Sequence, residues 1–185
     1  MSLFIDVGTV LRGTVCDLYS NLVTRPTGAA VRSAIERQVV EIGTPVVTTI
    51  DFSQVNVLDF SCADEIVAKL LLRYADVDGP TGYLLFRGIN DSHLDPIEIV
   101  LERHALALVA VHDGFADLVG VVTENERSHW ETVRDHGPVQ TDVVARMLDV
   151  DHKSAERQLE QLRHRRLLMR HVDGFAVPGT VPEIA

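Results

Sequence analysis

The stretch that decides the fold is Val46-Val47-Thr48-Thr49-Ile50-Asp51-Phe52-Ser53-Gln54-Val55, followed by Leu58-Asp59-Phe60-Ser61-Cys62-Ala63-Asp64-Glu65-Ile66. A β-branched run opened by Pro45 reads as a strand over 46–52 that ends in Asp-Phe-Ser. After a short connection, a Ser-centred turn launches an amphipathic helix over 62–74, with Ile66, Val67, Leu70 and Leu71 on one face. Ser61 at that helix start reads most simply as an N-cap.

The same grammar extends on both sides. Ser2 to Val10 reads as a strand. Residues 28–42 read as a helix, with Val31, Ala34, Ile35, Val39 and Ile42 at helical spacing, Thr27 as N-cap and Gly43 as the stop. Residues 82–86 read as a strand, 95–104 as a helix and 106–111 as another strand. Alternation of this kind predicts an α/β layer, a sheet with helices packed on it.

From about Thr123 the pattern becomes helical, with a hairpin at the end. Helices are expected over 124–135, from Thr141 to Leu148, and over 153–166 with Asp151 as cap. Two strands then flank an Asp173-Gly174 turn. We therefore expect two domains, 1–116 and 117–185, with the join least defined at 113–122.

Charge is uneven. The chain has 185 residues, 17 Lys/Arg against 27 Asp/Glu and a net charge of −10, so bulk electrostatics oppose nucleic acid. Residues 152–171, however, hold 6 basic and 2 acidic side chains together with His152, His164 and His171. With Ala155, Leu159 and Leu162 facing inward, 100° per residue turns Lys153, Arg157 and Gln161 outward. Those are residue types that meet phosphates and base edges.

The order helix, turn, amphipathic helix, hairpin resembles the winged helix-turn-helix domains of bacterial transcription regulators. That resemblance implies DNA contact through Lys153, Arg157 and Gln161, with Arg170 and His171 on the hairpin touching the flanking backbone. Winged helices also dock proteins, and Glu156 and Glu160 on the same helix would repel phosphate.

The first half resembles the STAS superfamily, the anti-sigma factor antagonist fold, and particularly its STAS-like branch. There a strand ending Asp-Phe-Ser-x-Val is followed by Ser-x-Ala-Asp-Glu at a helix start, as here at 51–55 and 61–65. Thr24-Arg25-Pro26-Thr27-Gly28 and Gly88-Ile89-Asn90 are similar to that branch as well. The resemblance implies a bacterial regulatory domain that receives a signal through a partner protein or a small ligand. Antagonists of this class carry a phosphorylatable residue directly after the Asp at the helix start. Here Phe60 follows Asp59 and Ser61 comes one place later, which leaves Ser61 as the candidate phosphosite.

Chemistry-bearing motifs are sparse. Asp59, Ser61 and His93 can be written as a triad, but no nucleophile elbow is present, and no enzymatic activity is expected. Eight histidines and two cysteines, Cys16 and Cys62, fall at no ligand spacing, so neither metal nor cofactor is expected. Arg25, Thr27 and Gly28 at a helix start form a weak candidate anion site. The longest fully apolar run, 105–111, is far short of the roughly 20 residues of a membrane helix. No basic leader opens the chain, so no membrane association and a cytoplasmic location are expected. The leading expectation is a regulator whose STAS-like domain controls a winged helix acting on DNA. Its alternative is a protein-interaction scaffold, or an anti-sigma-antagonist-like regulator, without DNA binding.

Overall fold

A computed structural model describes residues 2–16, 20–43, 46–76 and 78–180; Pro45, read above as opening a strand, lies outside them. The fold is of the mixed α/β class. The chain divides into two compact units, Met1–Val121 and Val122–Ala185. The sequence placed this division after residue 116, but a strand at 115–120 carries the first unit to Val121.

The first unit is built on five strands: β1 (Ser2–Asp6), β3 (Val47–Asp51), β5 (Tyr83–Arg87), β6 (Ala107–His112) and β7 (Phe115–Gly120), in that spatial order. The first four are parallel and β7 is antiparallel to β6. A small parallel pair, β2 (Asn21–Leu22) with β4 (Val57–Leu58), lies apart from this sheet. Each crossover steps one strand further in the same direction. Right-handed connections therefore put the intervening helices on a single face.

Those helices are α1 (Val7–Thr14), α2 (Arg25–Ile42), α3 (Phe60–Ala63), α4 (Lys69–Ala75) and α5 (Asp91–His104). A π-helical segment, Asp64–Ala68, joins α3 to α4 without a break. One apolar core runs through Ile5, Ile50 and Phe86 of the strands and Leu11, Ile35, Ile66, Leu70 and Ile97 of the helices.

Beside the π-helical segment and the unread β2–β4 pair, two stretches of the first unit depart from the sequence reading. The apolar run 2–10 is not one strand: Asp6 ends β1 and caps α1, its carboxylate accepting from Thr9 N at 3.2 Å. The segment taken as a join is β7, reached through Asp113 and Gly114, both at positive φ (48° and 83°) as a tight hairpin turn requires.

The second unit comprises α6 (Glu124–His136), α7 (Thr141–Met147), α8 (His152–His164) and the hairpin β8 (Met169–His171) with β9 (Gly174–Ala176). His171 pairs with Gly174, so the turn residues are Val172 and Asp173 rather than Asp173 and Gly174. Val139, between α6 and α7, bridges to Phe175 through two backbone hydrogen bonds of 2.9 Å. Trp130, Val144, Ala155, Leu159, Leu162 and Phe175 are fully buried.

Candidate functional site

In the first unit, the charged side chains gather where α2 crosses the π-helical segment. Thr24, not Thr27, caps α2 and accepts from Thr27 N, so Arg25 stands at the first helical position. Asp59, not Ser61, caps α3: its carboxylate accepts from Cys62 N and from the Ser61 hydroxyl, each at 2.8 Å. The shorter hydroxyl loses the cap because Asp59 sits one place before the helix, in extended conformation, where the side chain reaches the N3 amide.

The π segment turns Asp64 and Glu65 inward, and both are buried. Arg25 Nη1 lies 2.8 Å from Asp64 Oδ2 and 2.8 Å from Glu65 Oε1. His104 Nε2 meets Asp64 Oδ1 at 2.9 Å, Lys69 pairs with Glu65, and Arg32 lies 3.6 Å from Glu65. Burial by itself would raise both carboxyl pKa values. Hydrogen bonds from Arg25 and His104 to Asp64, and from Lys69 and Arg25 to Glu65, outweigh it and hold both below their usual values. Arg25 in turn is raised, chiefly by its bonds to Asp64 and Glu65. Neither carboxyl is tuned as a general acid, since that role needs a raised value.

Glycine makes this crossing possible. A Cβ on Gly28 would stand 3.0 Å from Cys62 Cα and 3.0 Å from Glu65 Cβ, so only a bare backbone lets α2 come this close. The three residues read as an anion cradle are thus otherwise engaged. Arg25 holds carboxylates, the Thr27 hydroxyl pairs with that of Thr24, and Gly28 is closed by Cys62. The Cys62 thiol is pushed up to about 11 by burial and the nearby Asp59, which leaves it unreactive.

The remaining sequence candidates in this unit are occupied as well. His93 is fully buried beside Phe52 and completes a capping box with Asn90. Burial holds its pKa down, and its part in capping, not in a triad with Ser61, accounts for its position. His112 pairs with Asp117 at 3.1 Å. Among the described residues, no three His, Cys, Asp or Glu side chains converge as a metal site.

In the second unit, α8 begins at an Asp151 cap that accepts from Ser154 N at 3.0 Å, as the sequence reading had it. Ala155, Leu159 and Leu162 are buried, and Lys153, Arg157 and Gln161 are exposed on the opposite face. Lys153 and Arg157 have no ion-pair partner among the described residues. Gln161 Nε2 donates to Glu126 Oε1 at 3.3 Å. Arg170 grips Glu160 with two nitrogens, at 2.6 and 3.1 Å, and lies 4.0 Å over the Phe175 ring. The His171 ring accepts from Asp173 N at 3.2 Å and its side chain is only 13% exposed. Of the five residues expected to meet DNA, two therefore stand exposed and unengaged.

Sequence reasoning missed Glu126. It is 3% exposed, closes a capping box with Thr123, and takes a 2.6 Å ion pair from Arg165. Its partners outweigh burial and keep it ionised. Thr123-x-x-Glu126 was the available signal. Neither protein-family models nor curated proteins match this chain. No helix of the described residues is long and apolar enough to cross a membrane.

Proposed function

We propose that the chain is a bacterial cytoplasmic regulator in which a STAS-like unit receives a signal and a winged helix-turn-helix unit delivers it to DNA. One observation carries the reading: Lys153 and Arg157 stand exposed and, among the described residues, without an ion-pair partner on one face of α8, while two acids beside that helix, Glu160 and Glu126, are held by arginines of their own unit. Arg163 and Arg170 hold Glu160, and Arg165 holds Glu126. Asp149 and Asp151 stay exposed at the start of the helix, and Glu156 on its flank.

Further support comes from the order of elements. The sequence α6, bridging Val139, α7, α8, β8, β9 matches a helix-turn-helix with a hairpin wing. Asp149 at φ 53° and the Val150 N to Ala145 O bond of 3.0 Å make the tight turn between the two inner helices. In the first unit, the helix start at Asp59–Glu65 and the alternating parallel sheet support the STAS-like reading. With Ser61 bonded to Asp59, a phosphate on its oxygen would sit beside a carboxylate, which argues against a switch at that position. No catalytic step is assigned.

The test is fluorescence anisotropy of labelled fragments of the source genome, at two salt concentrations. Binding that weakens with salt and with Arg157→Ala supports the reading. Salt-insensitive or absent binding overturns it in favour of protein docking. That second reading has its own observation in Val172, 73% exposed at the hairpin tip, and Met147, 47% exposed at the end of α7.

A further inference from the structure

We propose that the first unit binds a small, neutral, largely apolar molecule in a cleft between α5 and the β6–β7 edge of the sheet. The cleft has a volume of about 410 Å³ and is floored by Phe86, Ala110 and Val119. Leu94 of α5 and Ile89 of the preceding connection form its wall, and His112 and Asp117 stand at its mouth. This is independent of whether the second unit meets DNA.

The cleft follows from the topology. α5 links β5 to β6 and covers them, but β6 returns through the Asp113-Gly114 turn directly into β7, with no further helix. One registered row across the helical face reads Ile50, Phe86, Ala110, Asp117. It steps from large apolar side chains to a single methyl and then to a carboxylate. The small Ala110 opens the space, and the polar pair closes the row where an apolar residue would otherwise continue the core. His112 Nε2 and Asp117 Oδ2 are 3.1 Å apart, with the side chains 59% and 49% exposed.

Its size fits a ligand site. Pockets for small molecules run from about 300 to 1,000 Å³, with apolar walls and a few converging polar groups. Ile89, Val111 and His112 bring one end of the cleft to the carboxyl ends of β5 and β6. The lining selects the chemistry. Phe86, Ala110, Leu94 and Val119 suit a ring or short hydrocarbon, and the Asp117 carboxylate accepts from an N–H or O–H group at its polar end. A carboxylated ligand would face the like charge of Asp117.

Indole, neutral and carrying one N–H, is the probe. Titrated into the full chain and followed by amide NMR, it should give saturating shifts confined to Ile89, Leu94, residues 110–112 and 117–119. Ala110→Leu, which fills the floor, should weaken binding by at least about tenfold with circular dichroism unchanged. Asp117→Asn should weaken it a few-fold, and indole-3-acetate should bind at least about tenfold more weakly than indole. Shifts that do not saturate, or that survive Ala110→Leu in a folded protein, would overturn the site. Equal binding of the acid would overturn the assignment of a neutral ligand. If Ala110→Leu does not fold, Val119→Phe at the half-buried edge fills the same space and decides between those outcomes.

Discussion

The Arg25 guanidinium lies 2.8 Å from the Asp64 carboxylate, and that contact ties the first turn of α2 to the π-helical segment. The same nitrogen reaches Glu65, so one exposed cation serves two buried acids. Short α-helical stretches flank the π segment, and such insertions recur at functional positions. Here its structural effect is to turn two adjacent carboxylates onto a helix–helix seam instead of into water.

Acid should weaken the first unit through these two groups. Each has a folded pKa below its ordinary value. A depressed carboxyl contributes stability above its unfolded pKa, and that contribution is lost as pH falls through the folded one. Unfolded Asp and Glu titrate near about 3.9 and 4.3, so the loss begins around pH 4–5 and deepens below it. Glu65→Gln should cost about 1–3 kcal/mol at neutral pH, because Lys69, Arg32 and Arg25 lose the charge of the carboxylate they share. It should also flatten the acid limb. Urea melts from pH 3 to 7 on both proteins measure this, and an unchanged acid limb would count against the pair.

The cap of α3 provides a second test. Asp59→Ala should cost about 1 kcal/mol, within the range found for lost N-caps, while Ser61→Ala should cost less because the hydroxyl only donates back to Asp59. Equal losses in chemical denaturation would show that the two side chains act as one unit.

Trp130 reports on the second unit. It is fully buried, and its Nε1 donates to Leu167 O at 3.0 Å, joining α6 to the segment just after α8. Trp130→Phe leaves that carbonyl without its donor and opens a void, at a cost of about 1–3 kcal/mol. Because it is the single tryptophan, the emission of the unaltered protein should shift red in the unfolding transition of this unit. A red-shifted native spectrum would mean the ring is not packed.

Regular periodicity was legible in the sequence, and contacts that cross between elements were not. Ala155, Leu159 and Leu162 lie one helical turn apart, so the outward face of α8 followed from 100° steps alone. The π segment did not, since a one-residue widening leaves the apolar pattern of Ile66, Val67 and Leu70 readable as an ordinary helix. β7 was missed even though Asp113-Gly114 carries the same dipeptide that marked the terminal hairpin; Phe115–Gly120 is short and holds Asp117 on its inner row. Thr24 and Asp59 were overlooked as caps because each stands several residues before the first clear apolar repeat. The grip of Arg170 on Glu160 joins hairpin to helix across ten residues, which no local pattern encodes.

That grip sharpens what DNA binding should look like. Five residues were expected to touch DNA, but Arg170 is engaged by Glu160, Gln161 by Glu126 and His171 by its own turn. Lys153 and Arg157 remain, one helical turn apart on the exposed face of α8. With about two phosphates neutralised, log affinity should fall against log salt with a slope of about −2, far shallower than for a basic protein. Arg157→Ala should lower affinity and bring the slope near −1, with thermal stability unchanged because its side chain is exposed and unpaired. Arg170→Ala should do something different. It leaves Glu160 to Arg163 alone and uncovers the Phe175 ring, lowering stability, while the less neutralised carboxylate adds repulsion to any bound phosphate. Anisotropy titrations at several salt concentrations, with melting curves for each variant, separate the two roles. If Arg157→Ala leaves both affinity and slope unchanged, α8 is not the face that meets DNA.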